Sequence, residues 1–344
     1  MHSTRRAFTK SLAVLPFASA LVPVNAAESQ SRSIVNGVHL GAQTYSFRDL
    51  LFNNTGDPID ELIAAMKKTG IYECELLQSH TEPRVIVGPS SPTYITKDGK
   101  VSEHSIYGEV RGKLPPPSQA EAAAKSAQQK WRETVSLDHF KGIRKKFDAA
   151  GMTIHSYNAT LGSFGQWWRE GKIATANAEL ERTFEFARAL GVNIITTSTT
   201  LPVVRQVVPF AEKYKIIIAV HNHANLKDPN QIARPESFQA AFDMSRSVLL
   251  NLDIGHFTAA NYDPLSYIEK HHERITNIHL KDRKRDNGPN LPWGEGDTPI
   301  KQALQLIQRR KYPIPAMIEW EYQGSGRSLT EVPKCLAYAK AALA

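Results

Sequence analysis

A chain of 344 residues with 41% hydrophobic and 22% charged residues can bury a large core, and its composition excludes a disordered or fibrous protein. The formal charge is +8, but Arg5, Arg6 and Lys10 lie in residues 1–26 without an acid, and the rest holds no dense Lys/Arg cluster of the kind nucleic acid requires. Two cysteines, Cys74 and Cys335, imply no disulfide framework and are expected as packed free thiols.

At the N-terminus, Thr4-Arg5-Arg6-Ala7-Phe8-Thr9-Lys10 precedes an apolar run from Ser11 to Val24, and Val24-Asn25-Ala26 offers small residues for cleavage. This order predicts a secretory signal over residues 1–26, and Arg-Arg-x-Phe-x-Lys resembles a twin-arginine export signal, so a periplasmic or secreted location is expected. The run is too short and too rich in Pro and Ser for a spanning helix, and no stable membrane insertion is expected.

From about residue 36, strand-like and helix-like patterns alternate to the end. Strands are expected at 38–43, 71–76, 152–157, 193–197, 216–221, 248–253, 275–280 and 316–319. Helices are expected at 59–68, 138–150, 177–190, 204–214, 236–245, 264–273, 300–310 and 331–342, with Gly70, Gly151 and Gly191 at C-caps. The strands read as continuously apolar, which fits a parallel sheet covered by helices. Eight strands alternating with eight helices predict an α/β fold, a (β/α)8 TIM barrel forming one domain over residues 27–344. An open doubly wound sheet competes, but the Gly-rich phosphate turn usual after its first strand is missing. Residues 78–136 break the rhythm with Gly88-Pro89, Ser91-Pro92 and Pro115-Pro116-Pro117 before an Ala/Lys/Gln-rich helical stretch. An insertion this long is either a lid or a surface decoration.

Polar residues collect where the strands end. They are Gln43 and Tyr45, Glu75, His155 and Asn158, Thr197 and Thr199, His221 and His223, Asp253 and His256, His279 with Lys281 and Asp282, and Glu319 with Glu321. No strand start is comparably enriched, an asymmetry that predicts an enzyme. Asp253, His279 and Glu319 end successive strands, and charged groups placed after apolar strands need a partner. A divalent metal would serve all three, and mixed imidazole and carboxylate ligands suit Mn²⁺, Zn²⁺, Co²⁺ or Fe²⁺. Each residue alone also fits a helix cap or a backbone hydrogen bond. His256, three residues after Asp253, is expected beside the metal on a substrate hydroxyl. Tyr45, Phe47, Trp293 and Trp320 fit sugar stacking or core packing, and Trp167 and Trp168 fit a pocket wall.

Taken in order, Gly41-Ala42-Gln43-Thr44-Tyr45-Ser46-Phe47-Arg48-Asp49, Glu73-Cys74-Glu75-Leu76, His221-Asn222-His223, Asp253-Ile254-Gly255-His256, Ile278-His279-Leu280-Lys281-Asp282, Gly294-Glu295-Gly296-Asp297 and Ile318-Glu319-Trp320-Glu321 form a recognisable set. The set resembles the sugar isomerase/epimerase superfamily with a xylose isomerase-like barrel, which includes ketose 3-epimerases, inosose dehydratase and endonuclease IV. The resemblance implies that Asp253, His279 and Glu319 are metal ligands and that the substrate is a small carbohydrate. The fourth ligand of the epimerases is a Glu ending strand 5, one of their two acid–base carboxylates. Here that position is His221, so the two-Glu mechanism does not transfer directly. The preferred assignment makes His221 the ligand and turns His223 to substrate; the reverse remains open.

The expected activity is metal-dependent isomerisation or epimerisation of a keto sugar or keto-glycoside through an enediolate. Glu319 is the candidate base, Lys281 the oxyanion stabiliser (or an acid, were its pKa lowered), and His223 the second acid–base group. Substrate contacts are assigned to His256, Gln43, Tyr45, Glu75, His155, Trp293 and Trp320. Bland alternatives are a Lys281–Asp282 salt bridge and a purely structural Glu75. The same enolisation with β-elimination would give a lyase, which His221 favours. A non-catalytic sugar-binding barrel is the remaining competitor; a repair nuclease would need more metal ligands and a basic face. A homo-oligomer is compatible with all of these.

Overall fold

Unbroken runs of Ile, Val and Leu need cover, and the chain supplies it by closing its sheet and wrapping helices around it. The computed structural model describes residues 32–52, 56–83, 119–161, 176–322 and 327–344. The expected export signal, most of the 78–136 insertion and the Trp167-Trp168 loop lie outside these residues.

The barrel strands are β1 (Val38–Gln43), β2 (Glu73–Leu77), β3 (Thr153–Asn158), β4 (Ile194–Ser198), β5 (Ile217–His221), β6 (Val248–Asp253), β7 (Ile275–Leu280) and β8 (Ala316–Ile318). Each pairs in parallel with the next, and β8 returns to β1 through Leu40↔Ala316, Gly41↔Met317 and Ala42↔Ile318. Gly41 is needed at this closure, because a Cβ there would lie 2.6 Å from Met317 Sδ and 2.7 Å from the Glu73 carbonyl oxygen. A two-residue strand, Ile34–Val35, runs antiparallel to the start of β1.

The outer helices follow the alternation: α1 (Pro58–Thr69), α2 (Gln119–Thr134), α3 (Leu137–Ala149), α4 (Asn177–Ala189), α5 (Leu201–Tyr214), α6 (Pro235–Phe242), α7 (Ile254–Ala259), α8 (Pro264–His271), α9 (Ile300–Arg310) and α10 (Ser328–Leu343). The start of α1 shows why a helix begins there: Asp57 accepts from the amides of Ile59 and Asp60, and Pro58 opens the first turn. Gly70 ends it in the left-handed region at φ 78°. Leu62, Met66, Phe140, Phe147, Phe184 and Leu304 fill the layer between helices and barrel, and both free cysteines are buried.

The outward face of the strands is largely apolar, with Thr197 and Thr276 as exceptions. Facing inward, β2 carries Glu73 and Glu75, β3 Ser156 and Asn158, β6 Asn251 and Asp253, and β7 Asn277 and His279; of these, Ser156, Asn158, Asn251, Asn277 and His279 meet at Glu75 across the interior. The expectation of strands apolar on both faces is therefore corrected. The inner side is a polar layer that must satisfy itself.

The two described ends of the 78–136 insertion are fastened together. Glu82, just after the helical turn Gln78–Thr81, is buried against the Arg132 guanidinium and accepts from Gln128 Nε2 at 3.1 Å. Arg132 also donates to Thr183 Oγ1 of α4 at 2.6 Å, and Arg182 of α4 donates to the carbonyls of Arg132 and Val135. Burial pushes the Glu82 carboxyl above its usual range, against Arg132, Gln78 and Gln128. Arg132→Met would leave that carboxylate buried without its cation, at a cost of about 3–5 kcal/mol. In this variant the folded state would bind a proton that the unfolded state binds less tightly, so stability should recover as pH falls from near 7 to about 5. Urea melts at the two pH values test this; equal losses at both would refute it.

Candidate metal centre

Because β5 to β8 are consecutive, their ends converge. His221 and Asp253 close β5 and β6, His279 is the next-to-last residue of β7, and Glu319 follows β8 directly. These buried residues offer ligand atoms that all lie within 4.8 Å of one another. Asp253 and His279 are register partners in the sheet.

The donor set fits a divalent metal. His221 Nδ1 is held by Asn251 Oδ1 at 2.7 Å and His279 Nε2 by Glu75 Oε1 at 3.1 Å, so each ring turns its other nitrogen toward the shared centre, where that of His279 faces Glu319. Asp253 Oδ1 accepts from the His256 amide at 2.6 Å, whereas the buried Oδ2 accepts no hydrogen bond, although Lys281 Nζ lies 3.0 Å away. Burial disfavours charge on His279, but Glu75 and Glu319 (Nδ1 to Oε2, 2.9 Å) overcome this and raise its pKa to about 10. Burial likewise opposes charge on Glu319, and Lys281 and His279 overcome it, holding Glu319 well below the usual carboxylate range. A divalent cation entering among these carboxylates would displace the proton they draw onto His279.

Lys281 is fully buried, with Nζ 3.0 Å from Asp253 Oδ2, 2.9 Å from Glu319 Oε2 and 2.6 Å from Glu321 Oε2. Burial alone would lower its pKa, but these three carboxylates raise it well above the ordinary value. These carboxylates favour the cation and supply nothing toward the lowered pKa that an acid role would need. Lys281 does not pair with Asp282, which instead accepts from the amides of Gly294, Gly296 and Thr298 and so shapes the turn after β7.

A second histidine set, His221, His223 and His256, is equally close. Its His256 is already engaged, however, by Arg283 Nη1 at 2.6 Å on Nδ1 and by Lys281 Nζ at 3.1 Å on Nε2. The set with both carboxylates is therefore the better cation site. The His223 ring lies 5.1 Å from that of His221 and 4.9 Å from that of His256. Burial holds His223 and His256 well below the ordinary histidine pKa, with His221 and Lys281 adding to it for His223, and Lys281 and Arg283 for His256.

Several expected substrate contacts fall elsewhere. Glu75 is fully buried in the interior network. His155 is the extra residue of a bulge between β2 and β3, and its Nδ1 lies 3.8 Å from Glu73 Oε1, a layer below Glu75. His39 occupies the other Glu73 oxygen at 3.0 Å, so this group belongs to the lower barrel. Trp320 is fully buried beneath the Arg48 guanidinium, 4.5 Å from the ring centroid, and cannot present a stacking face. Trp293 packs edge-on against Tyr338 of α10 at 5.9 Å. Gln43 Oε1 accepts from the Tyr45 amide, and Arg48 covers the half-buried Tyr45 ring at 4.8 Å. Sequence reasoning overlooked Asn251, Asn277 and Arg283, and it gave Glu321 no role. Asn251 and Asn277 stand two residues before Asp253 and His279, a spacing that shares one face of a strand.

This closed parallel barrel with ligands at its strand ends defines a class. The chain belongs to the xylose isomerase-like TIM barrel family, whose profile matches residues 119–339. A sugar phosphate isomerase/epimerase from Parabacteroides distasonis is similar at 17% identity and TM-score 0.52, over 89% of this chain and 96% of that one. The 3-keto-D-glucoside 4-epimerase YcjR from E. coli is similar at 11% identity and TM-score 0.52, over 88% and 98% of the two chains. The probable 3-DHS dehydratase AsbF from Bacillus anthracis is similar at 12% identity and TM-score 0.55, over 87% and 98%. At such identities the likeness establishes the fold. No curated protein matches the sequence. Among the described residues no helix is long and apolar enough to cross a membrane.

Metal analysis of single variants distinguishes the two histidine assignments. Wild type is expected to hold about one divalent ion per chain, lost in His221→Ala and kept in His223→Ala. The reverse pattern would move the ligand to His223.

Proposed function

We propose that the chain is a metal-dependent isomerase or epimerase of a keto sugar or keto-glycoside, working through an enediolate. The observation that carries this is the convergence of His221, Asp253, His279 and Glu319 beside a buried Lys281. When bound there, a divalent cation supplies Lewis acidity toward neighbouring carbonyl and hydroxyl oxygens of the substrate.

The protein's own groups supply the rest. Glu319, held deprotonated, is the base for the hydrogen next to the carbonyl. Lys281, held protonated, stabilises the negative charge left on oxygen. His223 stays neutral near pH 7 and accepts or returns the second proton. Glu319 follows β8 and His223 follows β5, so the two groups approach substrate from different sides of the mouth. His256, with Nδ1 taken by Arg283 and Nε2 3.1 Å from Lys281 Nζ, would hold Lys281 in place beside the substrate. The Arg-Arg-x-Phe-x-Lys stretch supports action outside the cytoplasm.

A lyase is the second reading, favoured by the unlike pair Glu319 and His223 in place of two carboxylates. One group would remove the proton and the other would protonate the leaving group. Keto sugars incubated in D₂O with metal-loaded protein should gain deuterium beside the carbonyl. Glu319→Gln should slow this exchange about 100–10,000-fold. His223→Asn should keep its metal and continue to exchange, yet form epimer or eliminated product about 100-fold more slowly. Absence of exchange by the loaded wild type on every keto sugar tried would sink the proposal.

A further inference from the structure

Glu75 carries a role that no sugar contact would give it. Its Oε1 accepts from Asn158 Nδ2 at 2.8 Å and His279 Nε2 at 3.1 Å. Its Oε2 accepts from Asn251 Nδ2 at 2.9 Å and Asn277 Nδ2 at 3.0 Å, with Ser156 Oγ at 3.4 Å. An ionised carboxylate has about four acceptor positions, so these donors leave none for a ligand.

The consequence lies one bond further out. Asn251 has a single amide, and giving Nδ2 to Glu75 turns Oδ1 toward His221 Nδ1 at 2.7 Å. Oδ1 only accepts, so His221 must carry its hydrogen on Nδ1 and direct the Nε2 lone pair away. At His279 the same carboxylate acts directly: Nε2 stands 3.1 Å from both Glu75 Oε1 and Asn251 Nδ2, the charged oxygen outweighs the amide and keeps a hydrogen on Nε2, and Nδ1 faces Glu319. One buried charge thus fixes a hydrogen on Nδ1 of His221 and on Nε2 of His279.

We infer that Glu75 is a positioning residue that sets both histidines of the candidate centre, His279 directly and His221 through Asn251. The inference rests on the metal-centre reading for its function but not for its test. Nitrogen-15 spectra of histidine-labelled, chelator-treated full-length protein report which ring nitrogen carries hydrogen, with no metal needed. Wild type should show His221 protonated on Nδ1 and a hydrogen on Nε2 of His279, with or without a second on Nδ1 toward Glu319. Asn251→Leu should mix the His221 forms and leave His279 Nε2 protonated. Glu75→Gln should disturb both rings, because an amide must turn an NH₂ group toward one pair of donors. Cobalt(II) titration should then show affinity about 10–100-fold weaker in Glu75→Gln, with unchanged far-UV circular dichroism.

His221 protonated on Nε2 in wild type, or both rings unchanged in Glu75→Gln, would overturn the inference. So would cobalt affinity equal to wild type in a folded Glu75→Gln whose rings are disturbed. Should Glu75→Gln not fold, Glu75→Asp keeps the charge but draws it back by one methylene, and it must weaken cobalt binding or the inference fails. The predicted ring forms in a wild type that binds no cobalt would support the wiring and remove the metal reading.

Discussion

The structure depends on how the barrel keeps charge inside itself. Glu75 has no exposed surface, and burial alone would drive it neutral. His279, His221 and Asn277 instead hold it below the usual carboxylate range. Its donors come from β3, β6 and β7, so one carboxylate ties together strands on different sides of the sheet. Removing Glu75 would strand its donors together, whereas losing one donor would leave the rest bonded to it. The centre at the mouth stands on that layer.

At the mouth itself, charge is balanced by moving cations rather than by withholding acids. Asp253, Glu319 and Glu321 share one ammonium, Lys281, while His279 is drawn toward its cationic form. A divalent cation among the same oxygens would compete with Lys281 for Asp253 and Glu319 while leaving Glu321 to it. Lys281 and such a cation would thus be linked through shared partners, and a change at Lys281 is expected to alter its affinity.

The barrel was legible because its outer strand faces are apolar and its helices carry ordinary caps; β1, β6 and β7 fall at the expected residues, and the other strands within two. The inner face was less legible. Asn251 and Asn277 sit within apolar runs and were absorbed into the core, although their spacing to Asp253 and His279 marked the same face. His155 was misplaced because a bulge inserts an extra residue, which no alternation rule anticipates. Trp320 follows Glu319, but the chain turns there, with Ser46 and Arg48 bonding the strand-8 end, and the ring is driven inward. Sequence position marks a strand end; it does not tell which way the next side chain turns.

The fastening of Glu82 to Arg132 has a consequence for how this protein can change. Both ends of the long insertion are closed at a neck that α4 holds from the side. Chain added or removed beyond such a neck costs only the slow logarithm of loop closure, about 0.6 kcal/mol per doubling. The barrel is thereby insulated from its longest connection. Drift in length and composition of that connection leaves the buried layer under separate constraint.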